Sequence, residues 1–151
     1  MISPIRVSRK EFEGNEGIRW NAMIRLVVDF DTIEFSPIQR TAHLVFICSG
    51  EIYNGGYDQL VSNNPDWNYF EVITAFEDIG ALEQARVLRD FMQRVTVSPF
   101  GELRTIDQYF EEEEEGSTSF DTRFYDCEPS VETYLENYLD KHESEFIEWV
   151  P

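Results

Sequence analysis

Positive charge is what this sequence has least of: Lys and Arg total 12 against 30 Asp and Glu, a formal net charge of −18. Such a balance disfavours nonspecific attraction to nucleic acid or to anionic lipid and favours a basic partner. Cysteine is nearly absent too. Cys48 and Cys127 stand far apart in dissimilar contexts, which excludes a disulfide framework and any metal-ligand spacing. Cys48, among Leu44, Phe46 and Ile47, reads as a small core residue. No apolar run approaches the ~20 residues that span a bilayer, and Met1 to Arg6 lack an apolar signal core. The expectation is a soluble, cytoplasmic chain without a membrane partner.

Motifs for chemistry are also missing. There is no Gly-x-Ser-x-Gly, Walker-type or dinucleotide loop, and no zinc-spaced Cys/His/Asp cluster. No alternating Asp/Asn loop with a central glycine supports a calcium site. His43 shares a predicted helix with Ile47 and reads as a partly buried, hydrogen-bonded histidine. His142, beside Lys141 near a helix end, suits the macrodipole. Carboxylates are so abundant that no pair stands out as acid and base. No catalytic residue, metal or cofactor is therefore expected.

What is present argues for a packed core under a charged skin. Hydrophobic residues make up 42% and aromatics 15%, more than a disordered acidic tail carries. At 151 residues the chain reads as one domain, 1–151, long enough to bury about two thirds of its unfolded surface. Charge is unevenly placed along it. Residues 1–101 hold 14 acidic and 9 basic side chains, net −5, whereas Glu102 to Pro151 hold 16 and 3, net −13.

Local signals predict an all-α, single-domain bundle of about seven to nine helices. Pro4 keeps the start extended, and Ser8-Arg9-Lys10-Glu11 has the form of a capping box for a short helix ending near Gly14. Asn15 caps the next, with Ile18, Trp20, Met23, Ile24, Val27 and Phe30 on a broad apolar face. Ser36-Pro37 is the clearest start signal, an N-cap serine before a first-turn proline, and opens a helix to Tyr53. Asp66 is the expected cap of a helix from Trp67 to Ile79, with Trp67, Phe70, Val72, Ile73, Phe76 and Ile79 inward. Gly80 ends it, and Ala81 to Val95, through Leu82, Ala85, Leu88, Phe91 and Val95, folds back as a hairpin. Thr105 to Phe110 is a short helix, Gly116 to Ser119 an exposed break, and Phe120 to Glu128 an irregular aromatic segment over the core. Val131 to about His142 is helical, with Val131, Tyr134, Leu135, Tyr138 and Leu139 inward. Phe146 and Trp149 anchor the end.

The pivot of the chain is Glu51 to Asn64. Adjacent glycines cost a helix interior roughly 1 kcal/mol each, so Gly55-Gly56 predicts a sharp helix-to-helix corner before a short helix from Tyr57 to Ser62. Asn54 is the expected cap, with Gln59 and Asn63, four apart, bonding loop backbone. A hairpin turn at Asn54-Gly55 is the rival local reading. A phosphate nest is opposed by Asp58 and the acidity of the chain.

The motif Glu51-Ile52-Tyr53-Asn54-Gly55-Gly56-Tyr57-Asp58-Gln59-Leu60, then Asn63-Asn64, Ile79-Gly80-Ala81 and Ala85, resembles the bacterial DNA-mimic protein family. The likeness covers a core from Ser36 to Val95 and, more loosely, Phe120 to Phe146, including Phe124-Tyr125. Tyr57 replaces the phenylalanine more usual there. The resemblance implies a mostly helical fold and, for acidic members, a surface that imitates DNA. Asn54, Gly55, Gly56, Tyr57, Gln59 and Asn63 read as structural.

Two acidic stretches are candidate partner-binding faces. Glu132, Glu136 and Asp140 recur every four residues, with Glu128 and Glu143 just outside that register. Carboxylates at that spacing on a helix stand about 6 Å apart along the axis, close to the interval between neighbouring phosphates of one strand. Each such pair costs a helix about 0.2–0.5 kcal/mol, which invites a functional reason. A face chosen only for solubility is the plain alternative. Glu111, Glu112, Glu113, Glu114 and Glu115 form the second stretch, readable as a strip for lysines and arginines or as a plain disordered loop. The expected function is non-catalytic binding of a basic DNA-binding protein (a regulator, nuclease or nucleoid protein) in competition with DNA. An immunity-type inhibitor of a basic toxin and a small enzyme are the alternatives, and homodimerisation is left open.

Overall fold

Capping chemistry sets where most of the helices begin. A computed structural model describes residues 2–29, 32–112 and 115–151, so Phe30, Glu113 and Glu114 lie outside the described residues. Strand β1 (Ile5–Ser8) runs straight into helix α1 (Arg9–Gly14), where the Ser8 hydroxyl accepts from the Glu11 backbone N–H. Asn15 Oδ1 accepts from the Gly17 N–H, 3.1 Å, at the head of α2 (Gly17–Asp29). Ser36 and Gln39 close a reciprocal capping box on α3 (Pro37–Asn63). Asn68, not Asp66, caps α4 (Tyr69–Asp78), accepting from the Glu71 N–H. That helix therefore starts two residues later than the sequence predicts.

The turn after α4 carries Gly80 at φ 91° and leads to α5 (Leu82–Thr96), the hairpin partner expected. Thr105 and Gln108 cap each other at α6 (Ile106–Glu112), with bonds of 2.8 and 3.1 Å. The segment expected to be irregular is helix α7 (Thr118–Tyr125), and α8 (Val131–Lys141) follows. Phe120 and Phe124 sit four apart and both are buried, so one turn of helix is what lets this short segment cover the core.

Helix α3 is the axis of the fold, packed by α2, α4, α7 and α8, while α5 packs on α4, α6 and α7. Its inward residues Ala42, Val45, Cys48, Ile52, Leu60 and Val61 are wholly buried. In α4 the buried stripe is Tyr69, Val72, Ile73 and Phe76, spaced i, i+3, i+4, i+7. Phe70 falls off that stripe and is 79% exposed, and Leu82, at the first turn of α5, is 62% exposed. Both depart from the expected apolar faces. No helix of the described residues is long and apolar enough to cross a membrane.

The helical expectation holds, with an addition. Eight α-helices among the described residues are joined by a two-stranded parallel sheet, β1 with β2 (Ile147–Val150), in the register Ile5 to Ile147 through Ser8 to Val150. Gln39 fastens this closure: its Nε2 donates to the carbonyls of Ile2, 3.1 Å, and Glu145, 2.6 Å. Phe146 is fully buried, and Trp149 meets Phe12 edge to face under the Arg9 guanidinium.

Candidate acidic interface

The glycine corner is a break inside α3. Gly56 has φ 80°, ψ −177°, a conformation open essentially to glycine alone, and the chain is helical on both sides, which excludes the hairpin. Glu51 braces the break. Its Oε2 accepts from Gln59 Nε2 and Asn63 Nδ2, each at 2.9 Å. The two amides thus bond a carboxylate in the first arm rather than loop backbone. A Cβ at Gly55 would collide with the Gln59 amide, which accounts for the second glycine.

The cap on the second arm comes from far along the chain. Asn54 is exposed. Asp121 Oδ1 accepts from the Tyr57 N–H, 2.8 Å, and the Ser117 hydroxyl from the Asp58 N–H, 3.2 Å. Asp58 in turn accepts from the Tyr109 hydroxyl, 2.9 Å, and the Ser117 N–H, 3.1 Å, while the Ser117 hydroxyl donates to Asp121 Oδ2, 3.0 Å. Ser117, expected in an exposed break, is buried for this reason. Burial raises the Asp121 pKa, outweighing the bonds from Tyr57 and Ser117. The Tyr57 ring is fully buried, and its hydroxyl has no hydrogen-bond partner among the described residues.

On α8 the buried stripe Val131, Leu135, Leu139 turns Glu132, Glu136 and Asp140 together onto one exposed face. The row is not uniform. Arg19, from α2, reaches Asp140 at 2.7 Å and Glu143 at 2.6 Å, and Glu143 also accepts from the Trp149 indole N–H. Burial alone would lower the Arg19 pKa, yet its bonds to Glu143 and Asp140 raise it. The C-terminal end of the row is thus partly offset, one guanidinium against two carboxylates. Glu132 receives only the Tyr53 hydroxyl, 3.3 Å, and neither Glu132 nor Glu136 has an ion pair among the described residues. Burial, then Glu132, push the Tyr53 phenol up to about 12. Glu128 is exposed on the rim of a hollow of about 370 Å³ beside Arg123 and Cys127.

The second stretch sits on a different support, since α6 packs on α5 whereas α8 packs on α3. Glu111 and Glu112 are exposed; Glu112 pairs with Arg104 at 3.0 Å, and Glu115 lies 3.9 Å from Arg94. The Arg104 side chain, 3% exposed, also donates to the carbonyls of Val95 and Arg94 and lies over Tyr109. Arg19, Tyr53 and Arg104 were invisible as site residues in the sequence. Arg19 and Tyr53 act on carboxylates remote in sequence, as Arg19 does on Glu143, 124 residues away, and Arg104 reaches Glu112 from the loop before α6.

His43 is buried and donates its Nδ1–H to the Val27 carbonyl; burial lowers its pKa. Among the described residues no cluster of three or more His, Cys, Asp or Glu is arranged to hold a metal ion.

A helical fold pivoting on a braced glycine break, with exposed carboxylates on α6 and α8, defines a class of acidic helical protein. Residues 33–142 match the DMP19-like protein family, and the chain belongs to it, the DNA-mimic family that the glycine motif resembles. No curated protein and no solved structure matches the chain.

Proposed function

We propose that this chain is a non-catalytic, cytoplasmic DNA mimic that occupies the DNA-binding face of a basic regulator, nuclease or nucleoid protein. Glu132 and Glu136 carry the reading: two carboxylates on one rigid helix face, uncompensated by any cation among the described residues, in a chain of the DNA-mimic family. Glu128, Glu111, Glu112 and Glu115 widen the acidic surface, Glu112 and Glu115 beside Arg104 and Arg94. Asp140 and Glu143 contribute less, because Arg19 offsets them. Partner lysines and arginines exchange phosphate for carboxylate, steering raises the encounter rate, and salt weakens the complex.

The test is capture of partners from lysate on the immobilised chain, at low and high salt, with and without competing duplex DNA. DNA-binding proteins should be retained at low salt and released by either salt or duplex. The Glu132→Gln, Glu136→Gln double variant should retain several-fold less while its unfolding free energy stays within about 0.5 kcal/mol of wild type, as for exposed substitutions generally. Recovery of one enzyme indifferent to DNA would overturn the reading in favour of a dedicated inhibitor.

A further inference from the structure

Glu132 borders an apolar slot of about 120 Å³ between α2, α3 and α8, lined by Trp20, Phe46, Gly50, Tyr53 and Leu135. Gly50 has no conformational reason to be glycine. It lies well inside α3, outside the positive-φ glycines, and a Cβ there would meet nothing within 4 Å. A helix interior disfavours glycine more than any residue but proline. Gly50 is exposed and lines the slot, so the wall there is bare backbone, beside a carboxylate with no ion pair among the described residues.

We propose that this slot receives the aliphatic stem of a lysine or arginine from the basic partner, its charged head resting on Glu132. Long-stemmed cations bury their methylenes on apolar surface and keep the head at a polar rim, and Trp20 adds indole surface to the wall. The occupant follows from charge: the exposed charged groups on this face of α8 are Glu132, Glu136 and Asp140, only the last paired with a cation, Arg19, and the chain from Glu102 onward is net −13. This rests on the DNA-mimic reading and deepens it. Phosphate mimicry alone asks only for charge, whereas the slot also reads stem length.

Hexalysine and the hexapeptide of 2,4-diaminobutyrate, equally charged but shorter in the stem, are the probes, titrated calorimetrically at low salt with the Trp20 indole resonance followed by NMR. Hexalysine should bind between about fourfold and about fifteenfold tighter, one or two further methylenes buried at about fourfold each, and shift the Trp20 indole. Gly50→Leu should remove that preference, leave diaminobutyrate binding unchanged and not lower the thermal midpoint; Gly50→Ala should remove part of it. No preference in the wild type, or a preference that survives Gly50→Leu, overturns the slot while mimicry stands. If Glu132→Gln, Glu136→Gln binds both peptides as wild type does, the acidic-face reading falls as well.

Discussion

Asp58 and Asp121, at the break in α3, and Glu132 and Glu136, on the outer face of α8, are the same functional group in opposite circumstances. The first two are half-buried: between them they receive Tyr57, Tyr109 and Ser117, and they fasten three separate stretches of chain. The second two receive a single phenol and are exposed to solvent. A carboxylate that satisfies backbone donors is consumed by the fold, while one left with its charge unspent is available to another molecule. Net charge does not distinguish them. The row on α8 and just beyond it repeats the lesson on a smaller scale, since Arg19 ties α2 to Asp140 and, through Glu143 and Trp149, to the C-terminal strand, while Glu132 and Glu136 have no such partner among the described residues.

The two kinds of carboxylate differ most in what Gly56 demands of the chain. Alanine there must hold a conformation that costs about 1–3 kcal/mol, and its Cβ would displace the Asp121 carboxylate, forfeiting a cap worth about 0.5–2 kcal/mol. Gly56→Ala should lower the urea unfolding free energy by about 3 kcal/mol, against next to nothing for the Glu132/Glu136 double variant. Equal losses in the two would show that the break is no more structural than the row.

Asp121 supplies the next test. Its pKa is raised above 3.8, so from 3.8 up to its folded value the native state holds a proton that the unfolded chain has released. Stability therefore falls as pH rises through that window and changes no further from this group above it. Asp121→Asn should abolish this component, seen as the difference between the two proteins' unfolding free energies across the acid range. An unchanged difference would mean that Asp121 is not enclosed in solution.

Much of this was legible because helix ends are local chemistry. Ser8, Asn15, Ser36-Pro37 and Gly80 announce caps within three or four residues, and the inward stripe of α8 is written at helical spacing. What failed was what depends on distant chain. Gln59 and Asn63 found Glu51 rather than loop backbone; Asn54 was replaced as a cap by Asp121, 64 residues beyond Tyr57; β2 became a strand only because β1 was there to pair with it. The spacing of the acidic row was readable, but not its division, because Arg19 sits on a helix whose pattern speaks only of its apolar face. Asp66 and Asn68 show the narrower limit: both can cap, and the buried position of Tyr69 decides between them.

Tyr57 sharpens the contrast at its finest grain. Its ring is enclosed with those of Phe91 and Phe124, its hydroxyl meets no acceptor or donor among the described residues, and burial holds its pKa well above 10. A buried hydroxyl without a partner costs on the order of 1 kcal/mol, while the ring without it loses no packing. Tyr57→Phe should therefore raise the unfolding free energy by about 1 kcal/mol and leave partner capture unchanged, because nothing on the acidic faces touches this ring. A loss of stability instead would mean that the hydroxyl is hydrogen-bonded in solution. The joint would then be polar throughout rather than a polar clasp closed over an apolar plug.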